Sequence, residues 1–399
     1  TDQSALRGHR TIVPAVPSPI VRGVSSPAGG GPGMQPGEPR KPAGMTTSPP
    51  TVPPPVPDGS GRSGSPDDTD DAVRVRVRGP GDLVAAMPAL LGYHARRSIV
   101  LVVFGGASSR IRLTLRLDIP EGADECDDDT LGAVADALAS GATRAHGDNA
   151  MLVVLDADDD LATALSSHVR AALAVHGRAL LDTVVVRDGR YRSVECTDQQ
   201  CCPAQGRPVP QSSALVAAAV SQGTVIHADR ADLAAEVRAP DDAHADRSRR
   251  VAALLTSTLA HGSIGLDEDE IEALLDRGCA AAEDGRLGLD DAVRLAMVLR
   301  VGEIRDQAYG HMLTVGAHRH RVLWGSVCRQ VHDEIAAAPL ALAALAAYLT
   351  GAGTLATVAI ERARRLHADH ACVRLVSDIL LAGIPPGVVR DALARSVLD

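Results

Sequence analysis

Near residue 240 the spacing of apolar residues changes character, and that change constrains the fold more than any other feature. Between residues 73 and 238, apolar runs and strictly alternating segments recur between helical stretches. From 239 to 399 only helical spacing remains. A region that alternates strands with helices calls for a mixed-sheet α/β sandwich, and the second region for an all-α domain of helical hairpins. Residues 1–72 are a third kind of sequence. They hold 15 of the 25 prolines, among Gly, Ser and Thr, with no aromatic residue. Pro49-Pro50 and Pro53-Pro54-Pro55 favour extended polyproline backbone. Such a segment buries too little apolar area to offset its ordering entropy, so a disordered Pro-rich tail is expected.

Order is expected to begin with the alternating Ala72–Arg78 as a strand, then a turn at Gly79-Pro80-Gly81 and a helix capped by Asp82 and running to Leu91. Ser98–Phe104 is a continuous apolar run and reads as a central strand, with Arg110–Leu117 pairing antiparallel to it. Helices are expected at Asp128–Ser140, Leu161–Val175 and Ser212–Ser221, and a buried strand at Met151–Leu155. Thr183–Arg187 and Arg190–Val194 flank Asp188-Gly189, the signature of a tight hairpin. In the second half, Arg247–Leu259, Glu268–Leu275, Asp290–Val301 and Val322–Ala337 carry helical spacing. From 339 to 399 helix and tight turn alternate, with Ala356, Ile360 and Ala363 at the contact spacing of tetratricopeptide-like hairpins.

Composition excludes several mechanisms. Lys41 is the only lysine and lies in the tail, so the folded part has no Schiff-base lysine, no phosphate-loop lysine and no Ser-Lys dyad. With Asn149 and Phe104 also single, the bias points to a G+C-rich genome. A net charge of −10 argues against nucleic acid as a partner. Neither a membrane span nor a secretory leader is expected, and seven thinly spread cysteines fit a reducing cytoplasm.

Three of those cysteines, Cys196, Cys201 and Cys202, fall within seven residues just after the hairpin. A structural zinc site needs four ligands, and adjacent cysteines rarely share one ion. Cys196 with Cys201 or Cys202 could give two, and the remaining ligands would have to come from residues such as His168, His176 or His227, which nothing in the sequence places nearby. The expectation is therefore a structural turn of buried thiols shaped by Pro203 and Gly206, with zinc at the three cysteines the lesser reading and no cofactor otherwise. A reactive thiol would need positive field from Arg187, Arg190 or Arg192. Asp156, Asp158, Asp159 and Asp160 follow a strand in the way magnesium-binding carboxylates do, yet they more simply cap the next helix. His318 and His320 read as surface histidines on a loop near Trp324. No G-x-S-x-G elbow is present, and no catalytic residue is assigned.

Three segments carry a family resemblance. Pro88–Tyr93 with Arg97-Ser98 opens it; Val186–Tyr191 with Cys196-Thr-Asp198, Cys201-Cys202-Pro203 and Gly206 is its core. Leu342–Gly351 with Ile384-Pro385-Pro386 closes it. Together they resemble domain-of-unknown-function family 4192 of high-G+C bacteria, from about residue 73 to 399. Tyr191 and Tyr348 stand where that family tends to have tryptophan, and Ala95 where proline is common. The resemblance implies no established activity, ligand or catalytic residue. The resulting expectation is a cytoplasmic, non-catalytic binding or regulatory module, with a protein or peptide partner on the helical hairpins. The alternative is an enzyme of hydrolase or transferase type with its site in the α/β domain.

Overall fold

The structure, a computed structural model, describes residues 11–14, 77–105, 110–120, 127–221, 224–259 and 267–398. A mixed sheet is built from β1 (Thr11–Pro14), β2 (Ser98–Gly105), β3 (Arg110–Asp118), β4 (Asn149–Leu155), β5 (Ala179–Arg187), β6 (Arg190–Ser193) and β7 (Arg207–Pro208). Their order is β1-β3-β2-β4-β5-β6-β7. Only β4 and β5 run parallel, joined through α3 (Asp159–Val175); every other pair is antiparallel.

Beyond their first residues, Ser98 and Asn149, β2 and β4 are apolar because both sheet faces are covered. Ile99, Leu101 and Val103 pack with α2 (Asp128–Arg144) and α3 on one face. Val100, Val102 and Phe104 point the other way, into a second core that includes α1 (Pro80–Leu91). That second core runs without a break into the helical part, so packing is continuous across residue 238.

After α4 (Ala214–Ser221) and α5 (Arg230–Ala234) the helical part consists of α6 (Asp242–Leu259), α7 (Glu268–Glu283), α8 (Leu289–Val298), α9 (Gly302–Val315) and α10 (Ala317–Cys328). It ends with α11 (Ala337–Leu349), α12 (Gly353–His367), α13 (Ala371–Ala382) and α14 (Pro386–Leu398). All thirteen residues of α11 are buried, as befits a helix apolar on every side. Ala356, Ile360 and Ala363 are buried on α12. Arg362, also buried, joins the two parts. It donates to the carbonyls of Val237 (2.6 Å) and Cys328 (3.2 Å) and to the Asp333 carboxylate (2.7 Å).

Four expectations need correction. Val77 and Arg78 lie outside any strand, and residues 72–76 lie outside the described residues, as does the tail apart from Thr11–Pro14. Gly79, not Asp82, is the cap residue of α1; the Asp82 carboxylate reaches back to the Arg78 amide at 3.0 Å. The helix expected at Val322–Ala337 stops at Cys328, where the arginine takes the last carbonyl and Asp333 is drawn to the same guanidinium. α9 had no counterpart because Tyr309, Gly310 and His311, which read as polar or breaking, are among its buried residues.

Candidate functional site

The β5–β6 hairpin turns at Asp188 and Gly189, both with positive φ as a two-residue I′ turn requires. The chain then leaves β6 into the loop 194–206 and returns as β7 beside it. Polar contacts hold both ends of this loop. Glu195 accepts from Arg170 and from Ser166 on α3, and Ser193 Oγ accepts from the Glu195 and Cys196 amides at 3.2 Å. Arg190 donates to the carbonyls of Gln205 and Gly206, and Arg207 to that of Gln200. Inside the loop Asp198 accepts from the Gln200 amide through its side chain and from the Cys202 amide through its carbonyl. Gly206 has φ +70°, and a Cβ there would sit 3.1 Å from the Tyr191 carbonyl, so the position needs glycine.

This turn brings the Sγ atoms of Cys196, Cys201 and Cys202 within 4.8 Å of one another. The convergence overcomes the objection from adjacency: in a helical turn successive side chains are only about 100° apart. The thiols are not the buried set that was expected. Cys201 is exposed and Cys196 and Cys202 half-buried, whereas Cys279, Cys328 and Cys372 are buried. Burial pushes the Cys202 thiol up to about 11, with Cys196 and Cys201 adding to the shift against the Ser193 amide. A thiol so firmly protonated is a poor nucleophile. Of the arginines expected to activate it, Arg190 holds loop carbonyls, Arg192 pairs with Asp159 at 2.5 Å, and Arg187 lines a cavity at the carboxyl ends of β4 and β5. Of the histidines considered as further ligands, His168 bonds the Ala164 carbonyl and His227 the Glu236 carboxylate; among the described residues no histidine joins the three thiols.

A second location lies at the carboxyl ends of β4 and β5, where ligands of α/β sheets commonly bind. A cavity of about 180 Å³ is lined there by Arg97, Asp156, Asp158 and Arg187, with Ile119 and Leu161 behind. Arg97 (φ 40°) and Asp156 (φ 55°) hold left-handed backbone, which costs a non-glycine residue on the order of 1–2 kcal/mol. Both carboxylates are turned to the backbone. Asp156 Oδ2 lies 3.4 Å from the Arg97 amide, and Asp158 caps α3 through the Leu161 amide at 2.8 Å, as the helix-cap reading expected. The guanidinium groups of Arg97 and Arg187 have no hydrogen-bond or ion-pair partner among the described residues.

The helical part holds two buried histidine arrangements that sequence reasoning missed. His320 lies on α10 and is fully buried, which corrects the surface-loop reading. Trp324 Nε1 donates to His320 Nδ1 at 3.0 Å, so the His320 proton sits on Nε2 and points to His311 Nδ1 at 2.7 Å. His311 then carries its proton on Nε2, which lies 3.3 Å from Asp276 Oδ1 without hydrogen-bond alignment. Burial, reinforced by His311, lowers His320 to about 3. The chain of donors is a structural relay between α7, α9 and α10, and the i,i+4 pair His320/Trp324 is its one local signal. Elsewhere Ser248 Oγ lies 2.9 Å from His332 Nδ1, which imitates a nucleophile and base. Both residues are buried, and Ser248 Oγ also accepts from the His332 amide at 3.2 Å. No substrate reaches that hydroxyl, and the pair ties α6 to the segment before α11.

No helix among the described residues is long and apolar enough to cross a membrane. No curated protein and no solved structure matches the chain. One family model does, over residues 80–387, a span that takes in α1, the sheet from β2 to β7, the cysteine loop and the helices as far as the start of α14. The chain belongs to the DUF4192 family, a domain of unknown function.

Proposed function

We propose that the chain is a non-catalytic binding or regulatory module that takes a small anionic ligand at the carboxyl ends of β4 and β5. The observation that carries this reading is the pairing of two guanidinium groups, Arg97 and Arg187, without a partner among the described residues, on one cavity whose carboxylates are occupied by backbone amides. Guanidinium groups are planar donors suited to carboxylate and phosphate. Left-handed backbone at two non-glycine residues is the kind of strain that persists where a site needs it. In this reading the protein is cytoplasmic, comes from a G+C-rich bacterium, and presents tetratricopeptide-like hairpins in α11–α14 to a protein or peptide partner.

Thermal unfolding with inorganic phosphate and with malonate, at constant ionic strength, tests the anion site. A ligand at 100 times its Kd stabilises by about 2.7 kcal/mol. The midpoint should rise with either anion in the native protein and stay flat in Arg97→Ala/Arg187→Ala. An equal response in both proteins, or none in the native one, removes the reading. Enzymatic turnover lost in Asp156→Asn would favour the hydrolase or transferase alternative instead.

A further inference from the structure

We propose that Cys196, Cys201 and Cys202 form a three-thiolate site for a soft divalent cation, zinc, with its fourth position open to solvent. Three observations converge. The Sγ atoms lie within 4.8 Å of one another, and tetrahedral zinc at about 2.3 Å from each sulfur sets neighbouring sulfurs about 3.8 Å apart. Closing onto the ion therefore asks each thiol to move by no more than about 1 Å. The loop that carries them is fastened at both ends, by Glu195 to α3 and by Arg190 and Arg207 to loop carbonyls, so the ligands are held before any ion arrives. Finally, the loop has almost nothing apolar to pack: from 194 to 206 only Val194, Pro203 and Ala204 accompany the cysteines. A thirteen-residue loop of that composition has no hydrophobic centre of its own, and thiols half-buried or exposed add little.

Binding replaces three S–H bonds by three S–Zn bonds and passes three protons to buffer, with water completing the tetrahedron. The Ser193 amide beside Cys202 is the sort of outer donor that supports a metal-bound sulfur. Exposure of Cys201 puts the open position at the surface, where an outside ligand has access.

The experiment uses the full chain, purified under reducing conditions and given zinc, then freed of excess. Elemental analysis should find one zinc per chain, and cobalt substitution should give sulfur-to-cobalt charge-transfer absorption. Cys201→Ser should lose both; because Cys201 is exposed, its loss of packing cannot unfold the protein, and a circular-dichroism melt confirms the fold. Cys279→Ala, in the core of α7, should keep the ion. Zinc retained in Cys196→Ser/Cys201→Ser/Cys202→Ser, or none bound by the reduced native protein, overturns the site. So does a purified protein lighter by two protons with a disulfide among the three.

Discussion

Replacing Arg362 by alanine removes the one buried cation that fastens α12 to both the α/β part and the end of α10. Its guanidinium makes three hydrogen bonds, to Val237 O, Cys328 O and Asp333 Oδ1. Asp333 is 54% exposed and regains water when the arginine leaves, so that bond contributes little to the loss. The two carbonyls belong to residues 2% and 0% exposed and have no such recourse. A hydrogen bond to a charged group is worth about 1.5–3 kcal/mol net, so the two together amount to roughly 3–6 kcal/mol. Arg362→Lys keeps a charge but not the fork geometry and should lose about half of that. Urea unfolding followed by circular dichroism measures both variants, with the slope against urea checking that the unfolded state is unchanged. A loss below about 1 kcal/mol for Arg362→Ala, or equal losses for both variants, would refute the clamp.

Acid should destabilise the helical part through His320. Its folded value, about 3, lies below the ordinary 6.5, so between those values the unfolded chain binds more protons. Stability is therefore full above pH 6.5 and falls as pH drops below it, by about 1.4 kcal/mol per pH unit. Unfolding free energies at pH 7 and 5 should differ by about 2 kcal/mol more in the native protein than in His320→Gln; equal differences would disprove the burial argument. Gly206→Ala forces a side chain into left-handed backbone against the Tyr191 carbonyl and should cost about 1–2 kcal/mol. It should also open the loop 194–206 to proteolysis, and unchanged cleavage there would count against the fastened loop.

What was legible in the sequence was what depends on local pattern. β2 and β4 announce themselves because continuous burial on two faces leaves a continuous apolar run, and the Asp188-Gly189 turn because few dipeptides accept its backbone. The break after Cys328 was not legible, since the arginine that imposes it lies 34 residues further on. The setting of His320 depends likewise on His311, from another helix. At the cysteine loop the residue types were plain, but adjacency argued against convergence, and only the turn built by Asp198 brings the sulfurs together.

The helix α11 sets a condition on how the chain is made. Its thirteen residues, none of them charged, are shielded by helices that lie on both sides of it in sequence, among them α13 and α14. During synthesis α11 is complete 49 residues before α14 ends, an interval of roughly 2–10 s at 5–20 residues per second. Throughout that interval an apolar rod about 20 Å long lacks part of its cover. A chain interrupted between 349 and 398 keeps that surface exposed, so premature termination in this stretch should yield aggregation and chaperone capture, not a shortened but soluble product.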